Sequence, residues 1–208
     1  MNPPPEPAEA LRAFERELVE ATGLAWRWHG SQTRKGRSTP YMSHLLQVQG
    51  LVIEAGGTPA QAIAALLHDA LEDAATPAER AEREARIAER FEPDVLRIVL
   101  DCTDTTAAEA GADKGPWRVR KERSLAQLGA ARPDSRLVAA CDKRHNLGDL
   151  VRDLREEGVA TLARFNAGGA EQVWYFGALA DVCRPAVPAW LGREIDDLVD
   201  ALRALVRG

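Results

Sequence analysis

The chain of 208 residues is 45% hydrophobic and carries a formal net charge of −5. That is enough apolar material for one buried core, and too little positive charge for a general attraction to nucleic acid or anionic lipid. No apolar run is long enough to span a bilayer, and the opening Met1-Asn2-Pro3-Pro4-Pro5 lacks the cationic and apolar regions of a signal peptide. Cys102, Cys141 and Cys183 are odd in number, widely spaced and without a CxxC pair, so they read as reduced, buried small residues of a cytoplasmic protein.

Residues 1–6 are proline-rich and expected to be disordered. Residues 8–28 form the first expected helix, with Leu11, Phe14, Leu18 and Ala21 at helical spacing. β-Branched residues are sparse throughout while Ala, Leu, Glu and Arg dominate, which predicts an all-α bundle. A basic loop at 29–40 gathers Arg34, Lys35 and Arg37, either as a solvated surface or as a clamp for phosphate and base, a role that the planar guanidinium suits. A second helix is expected over 41–55, carrying His44. Thr58-Pro59 and Thr76-Pro77 then pair an N-cap with a proline at the first helical position and open two more helices. Val95, Leu96, Ile98, Val99 and Leu100 supply a further core segment, and residues 103–115, polar and Gly-containing, are the expected mobile loop or lid. A helix over 117–129 begins with Arg118, Arg120, Lys121 and Arg123. Another opens at Pro133, and two amphipathic helices follow near 168–183 and 187–206.

The chain is organised around the segment opened by Thr58-Pro59, read as one helix to about Ala74. It starts apolar and then presents His68, Asp69, Glu72 and Asp73, where the four-residue spacings stack His68 with Glu72 and Asp69 with Asp73. A surface helix end is the ordinary reading of such a run. Elsewhere, however, Asp142 also emerges from an apolar helix, with Asn146 and Asp149 following on its face, and His44 opens the second helix. Together His44, His68, Asp69 and Asp142 offer two nitrogens and two oxygens from three helices, a donor set that suits Mn, Fe or Zn better than Ca.

Five stretches in order then match a known family: His29-Gly-Ser-Gln-Thr-Arg34-Lys35-Gly36, Pro40-Tyr41-Met-Ser-His44, Leu67-His68-Asp69-Ala-Leu-Glu72-Asp73, Phe91-Glu-Pro-Asp-Val95 and Asp142-Lys-Arg-His-Asn146-Leu147. On these the chain resembles HD-domain phosphohydrolases, within them the hydrolase domain of RelA/SpoT-type enzymes, and above all the stand-alone small alarmone hydrolases. The resemblance implies an all-α HD-domain bundle with a hydrolase core over 7–156 and C-terminal helices over 157–208 packed on the same domain. It implies hydrolysis of the 3′-pyrophosphate of (p)ppGpp to GDP or GTP and pyrophosphate, with one Mn²⁺ held by His44, His68, Asp69 and Asp142. Glu72 and Asp73 become the catalytic acids, Arg34, Lys35, Asn146 and Asp149 the nucleotide contacts, and Arg118 and Lys121 further cations for phosphate. Two positions depart from the family: Leu45 stands where a Pro usually follows the first metal His, and Asp149 where the long enzymes often have Thr or Ser. The alternatives are another nucleotide substrate, such as an adenosine alarmone or the 2′-phosphate of NADPH, or a nucleotide-binding module without catalysis. The expected partner is a small-molecule nucleotide, with no nucleic acid and no membrane, and both a monomer and a homodimer fit the sequence.

Overall fold

A computed structural model describes residues 7–110 and 115–207. The proline-rich residues 1–6, and 111–114 of the expected lid, lie outside the described residues. Beyond the first helix, which is described from Pro7, helices α3 (Pro59–Leu67), α4 (Pro77–Arg90), α5 (Pro93–Cys102) and α7 (Pro133–Glu157) open with proline in the first turn, where a missing N–H costs nothing. At α3 the Thr58 hydroxyl accepts from the Gln61 N–H while the Gln61 side chain accepts from the Thr58 N–H, a reciprocal cap. The remaining helices are α1 (Pro7–His29), α2 (Met42–Glu54), α6 (Trp117–Ala130), α8 (Gly169–Cys183) and α9 (Ala189–Arg207), with 3₁₀ turns at Ala107–Glu109, Val159–Arg164 and Arg184–Ala186. Among the described residues there is no strand. An isolated bridge between Thr33 and Pro40 closes the basic loop, which turns at Gly36 with φ +72°.

Helix α3 lies at the centre. Ile63, Leu66 and Leu67 are fully buried, and α1, α2, α5 and α7 pack around it. Helix α7 is the spine: it contacts α2, α3 and α5 on one side and α8 and α9 on the other. Tyr175 and Phe176 of α8 are buried, and Trp117 of α6 meets Tyr175 edge-on at 5.7 Å between ring centroids.

The structure corrects the sequence reading of the central helix. It ends at Leu67, and His68–Asp73 form successive turns. The cause is local. His68 Nδ1 donates to the Ala65 carbonyl at 2.8 Å, an acceptor that a continuing α-helix would offer to the Asp69 N–H. The Ala70 N–H bonds one residue short, to Leu67 O. Residues 103–110 also differ from a free lid. Asp104 is buried, accepting from Arg120 at 2.9 Å and Lys121 at 2.5 Å, and the buried Arg80 donates to Thr105 O at 3.0 Å.

Candidate metal centre and substrate cavity

Three elements converge beside the end of α3. His44, two residues inside α2, is fully buried, and His68 and Asp142 are nearly so. His68 Nε2 lies 3.0 Å from Asp69 Oδ2 and 3.5 Å from Asp142 Oδ1, and His44 Nε2 lies 3.5 and 3.3 Å from the same two oxygens. All four of the expected ligands thus come together, and ligand atoms of His44, His68 and Asp142 fall within 4.8 Å of one another.

The hydrogen atoms are assignable from the partners. A carbonyl only accepts, so the His68–Ala65 bond puts the proton on His68 Nδ1 and leaves Nε2 with its lone pair aimed at the carboxylates. His44 Nδ1 meets His145 Nδ1 at 3.0 Å. Burial and the adjacent His44 bring the His145 pKa down to about 4, so His145 is neutral and able to accept at Nδ1; a His44 that ligates through Nε2 carries its proton on Nδ1 and donates it there. Both Nε2 atoms are buried without a hydrogen-bond partner, an arrangement that is costly unless a cation takes the lone pairs. The donor set of two imidazoles and two carboxylates fits a divalent transition metal. Burial works against charge on Asp69 and Asp142. Lys143 at Asp142, and positive charge on the imidazoles at both positions, outweigh it and hold both carboxyls well below the ordinary range, the part that falls to a bound cation once the imidazoles are neutral.

The surrounding residues fix these ligands. The Tyr41 hydroxyl donates to Asp69 Oδ2 at 2.6 Å, and Asn146 Nδ2 donates to Asp142 Oδ1 at 2.6 Å. Lys143 pairs with the other oxygen, Asp142 Oδ2. Glu72 and Asp73 sit half-buried on the turns after α3, and Asp73 Oδ2 is 3.6 Å from Nδ1 of the buried His29. His29 donates to Gln32 Oε1 at 2.8 Å and stacks on Tyr41 with 5.5 Å between ring centroids.

Next to this centre lies a cavity of about 270 Å³, lined among others by Arg34, Tyr41, Asn146, Asp149, Asp153 and Phe165. Arg34 donates to Asn146 Oδ1 at 2.8 Å and Asp149 Oδ2 at 3.0 Å, and its guanidinium lies 5.6 Å from the Tyr41 ring centroid. Lys35 lines the same cavity from the exposed side, 5.7 Å over the Phe165 ring, and Arg37 pairs with Asp153. Asp142, Asn146, Asp149 and Asp153 therefore form one stripe along α7, running from the metal ligands to the cavity rim.

The two cations expected on α6 separate. Lys121 points inward, to Asp104 and the Tyr175 ring. Arg118 lies at the surface, stacked 3.2 Å over Trp174 and paired with Glu122 and Glu171. Four contributors carried no role in the sequence reading: His29, Tyr41, Lys143 and His145. His145 was signalled only by its place three residues after Asp142, and Tyr41 by its place three before His44.

Two buried histidines and a buried aspartate, with Asp69 beside them, meet where the start of α2, the end of α3 and the interior of α7 converge, and this defines a helical domain with a candidate metal site. The chain belongs to the HD-domain family, whose model matches residues 21–167. Among its relatives, guanosine-3′,5′-bis(diphosphate) 3′-pyrophosphohydrolase MESH1 of Homo sapiens is 34% identical over 139 residues, covering 65% of this chain and 70% of that one. A GTP pyrophosphokinase of Streptomyces coelicolor is 30% identical over 164 residues, covering 78% of this chain and 18% of that longer one. A solved metazoan ortholog of SpoT, described as hydrolysing ppGpp, shares the fold with a TM-score of 0.68 at 23% identity, covering 98% of this chain and 99% of that one.

Proposed function

We infer that the protein is a metal-dependent phosphohydrolase that removes the 3′-pyrophosphate of (p)ppGpp, giving GDP or GTP and pyrophosphate. Its membership among 3′-pyrophosphohydrolase relatives supports this reading. The observation that carries it is the pair of partnerless buried Nε2 atoms facing two carboxylates, with two further acids on the next turns.

His44, His68, Asp69 and Asp142 are the ligands we assign to a single Mn²⁺, in keeping with their mixed nitrogen and oxygen donors. A divalent ion bound there neutralises phosphoryl charge and makes a water acidic near neutral pH. The rest of the chemistry belongs to the side chains. Glu72 takes the proton of the attacking water, and Asp73, steadied beside His29, orients that water. The proton returns through the same acids to the ribose oxygen as its bond to phosphorus breaks. Arg34, held by Asn146 and Asp149, presents a flat cation for stacking a purine, and Lys35 closes the exposed side of the cavity. Lys121 supplies positive charge for phosphate on the opposite side, and Arg118 does so at the surface. The buried positions of Cys141 and Cys183 as free thiols support a reducing, cytoplasmic setting. Among the described residues no helix is long and apolar enough to cross a membrane.

The test is hydrolysis by Mn²⁺-loaded protein of guanosine tetraphosphate, its adenosine counterpart and NADPH, beside Glu72→Ala. Pyrophosphate release from the guanosine substrate should fall in the variant by about 10²–10⁴-fold with metal content retained. Phosphate release from NADPH alone would overturn the substrate assignment. Asp149, at a cavity position where the long enzymes often have Thr or Ser, makes the adenosine compound the second reading to test.

A further inference from the structure

Glu72 and Asp73 stand on a segment outside the helices. Helix α3 ends at Leu67 and α4 begins at Pro77, so the carbonyls of the fully buried Ala70 and Leu71 belong to no helical ladder. Two arginines of α4 reach back to them. Arg83 donates from Nη1 to Ala70 O at 2.7 Å, and Arg80 donates from Nη1 to Leu71 O at 3.5 Å. These oxygens lie on the Ala70–Leu71 and Leu71–Glu72 peptide planes, so the arginines fix the backbone that leads into Glu72. The far side of the segment is held by the same helix. Glu79 pairs with Arg83, and Glu79 Oε2 accepts from the Ala75 N–H at 2.8 Å. One ion pair thus straps Ala70 to Ala75, with both acids between the anchor points.

The two guanidiniums are costly to place. Arg80 is 5% exposed and Arg83 6%, and the Nε of each is buried without a hydrogen-bond partner. Arg80 also donates to Thr105 O at 3.0 Å and Thr105 Oγ1 at 3.3 Å, and among the described residues no carboxylate pairs with it. Trp28 covers Arg83, its ring centroid 5.5 Å from the guanidinium carbon. Apolar side chains of similar volume in place of buried charges are often neutral or stabilising. Stability therefore accounts poorly for these cations, and their common target, the backbone before Glu72, accounts for them better. Thr105 follows Asp104, the partner of Lys121, so Arg80 also joins the acid segment to α6.

We propose that Arg83 and Arg80 are positioning residues for Glu72. They act by holding the peptide planes from which the base projects, with Arg83, the closer of the two, carrying more of the effect. This rests on the hydrolase reading and names what keeps its base in place. A carboxylate takes a proton only from a water within hydrogen-bond reach, and a displacement of ~1 Å costs about 10²-fold in rate. Because Glu72 sits on a turn, its own helix cannot supply that precision, and α4 does.

Arg83→Met removes the donors and keeps most of the bulk. In the Mn²⁺-loaded protein kcat for the guanosine substrate should fall about 10- to 100-fold, with KM and metal content held. Arg83→Lys, which retains a donor for Ala70 O, should recover part of that rate, and Arg80→Met should show a smaller loss. Arg97→Met separates this from simple destabilisation. Arg97 ties α5 to Asp134 in the first turn of α7, so its loss should lower the melting temperature and leave kcat unchanged. In a Glu72→Ala background Arg83→Met should cost almost nothing further, since both act on one step. Parent-like kcat in Arg83→Met, or losses that multiply in the double variant, would overturn the proposal. If the parent protein hydrolyses no nucleotide, the hydrolase reading fails by itself. Amide hydrogen exchange then decides the strap: residues 71–73 should exchange faster in Arg83→Met than in the parent and in Arg97→Met, and equal protection in all three overturns it.

Discussion

Replacing His145 with Phe tests whether the centre depends on a residue that contacts no ligand oxygen. In the structure His44 has one buried hydrogen-bond partner, His145 Nδ1 at 3.0 Å, and with His145 accepting there the tautomer of His44 is the one with Nε2 free. Without an acceptor, the His44 Nδ1–H is stranded in a fully buried ring. Leaving such a group unsatisfied costs about 1–3 kcal/mol, and orienting partners of metal-binding histidines are worth about 10–100-fold in affinity, so the two routes agree on magnitude. Mn²⁺ affinity, measured by competition with a chromogenic chelator, should fall by about 10–100-fold in His145→Phe. His145→Gln, which can restore an acceptor, should recover part of it, and kcat at saturating metal should stay near the parent value. Unchanged metal affinity in the Phe variant would refute the assigned hydrogen-bond direction and, with it, the tautomer argument for His44.

Three other outcomes follow from the same geometry. Arg34→Lys keeps the charge but removes the planar fork that meets Asn146 and Asp149, so KM should rise about 10-fold or more in steady-state assays while Mn²⁺ affinity holds. Asp104→Ala strands Arg120 and Lys121, both largely buried, and should destabilise the fold by about 3 kcal/mol in urea melts, with Asp104→Asn milder. Burial lowers the His29 pKa below its ordinary 6.5, so as pH falls below that value the unfolded chain binds a proton that folded His29 resists, and this group's contribution makes stability decline. His29→Phe should flatten the dependence of melting temperature on pH between neutrality and mild acid, and an unaltered slope would exclude His29 as its source.

Helix starts were legible in the sequence because their chemistry is local. Thr58-Pro59 and Thr76-Pro77 each contain both a cap and a preset φ, and both helices begin there. The all-α class followed from composition and periodicity in the same way. The end of α3 was not legible, because it depends on His68 turning back to Ala65 O once the ring is buried, and periodicity carries no information on such a side-chain bond. The approach of His44, His68, Asp69 and Asp142 could be suspected from residue types, while their distances depend on how α2, α3 and α7 cross. The basic face of α6 shows the limit most clearly. Arg118 and Lys121 look alike in sequence, yet one lies over Trp174 at the surface and the other reaches buried Asp104. That difference is set by the helix's rotation against α8, a tertiary fact.

The stripe along α7 has a consequence for ligand size. Asp142, Asn146, Asp149 and Asp153 sit on one uninterrupted helix, so their separations follow from the helical rise and from nothing flexible. From Asp142 to Asp153 is eleven residues, about 16 Å of axis. The helix thus acts as a ruler with its zero at the reaction centre, and it gauges how far a ligand reaches towards the basic loop. Inserting a single residue between Asp142 and Asn146 would lengthen that scale by only about 1.5 Å but rotate every later mark by about 100°, turning the cavity wall away from the metal ligands.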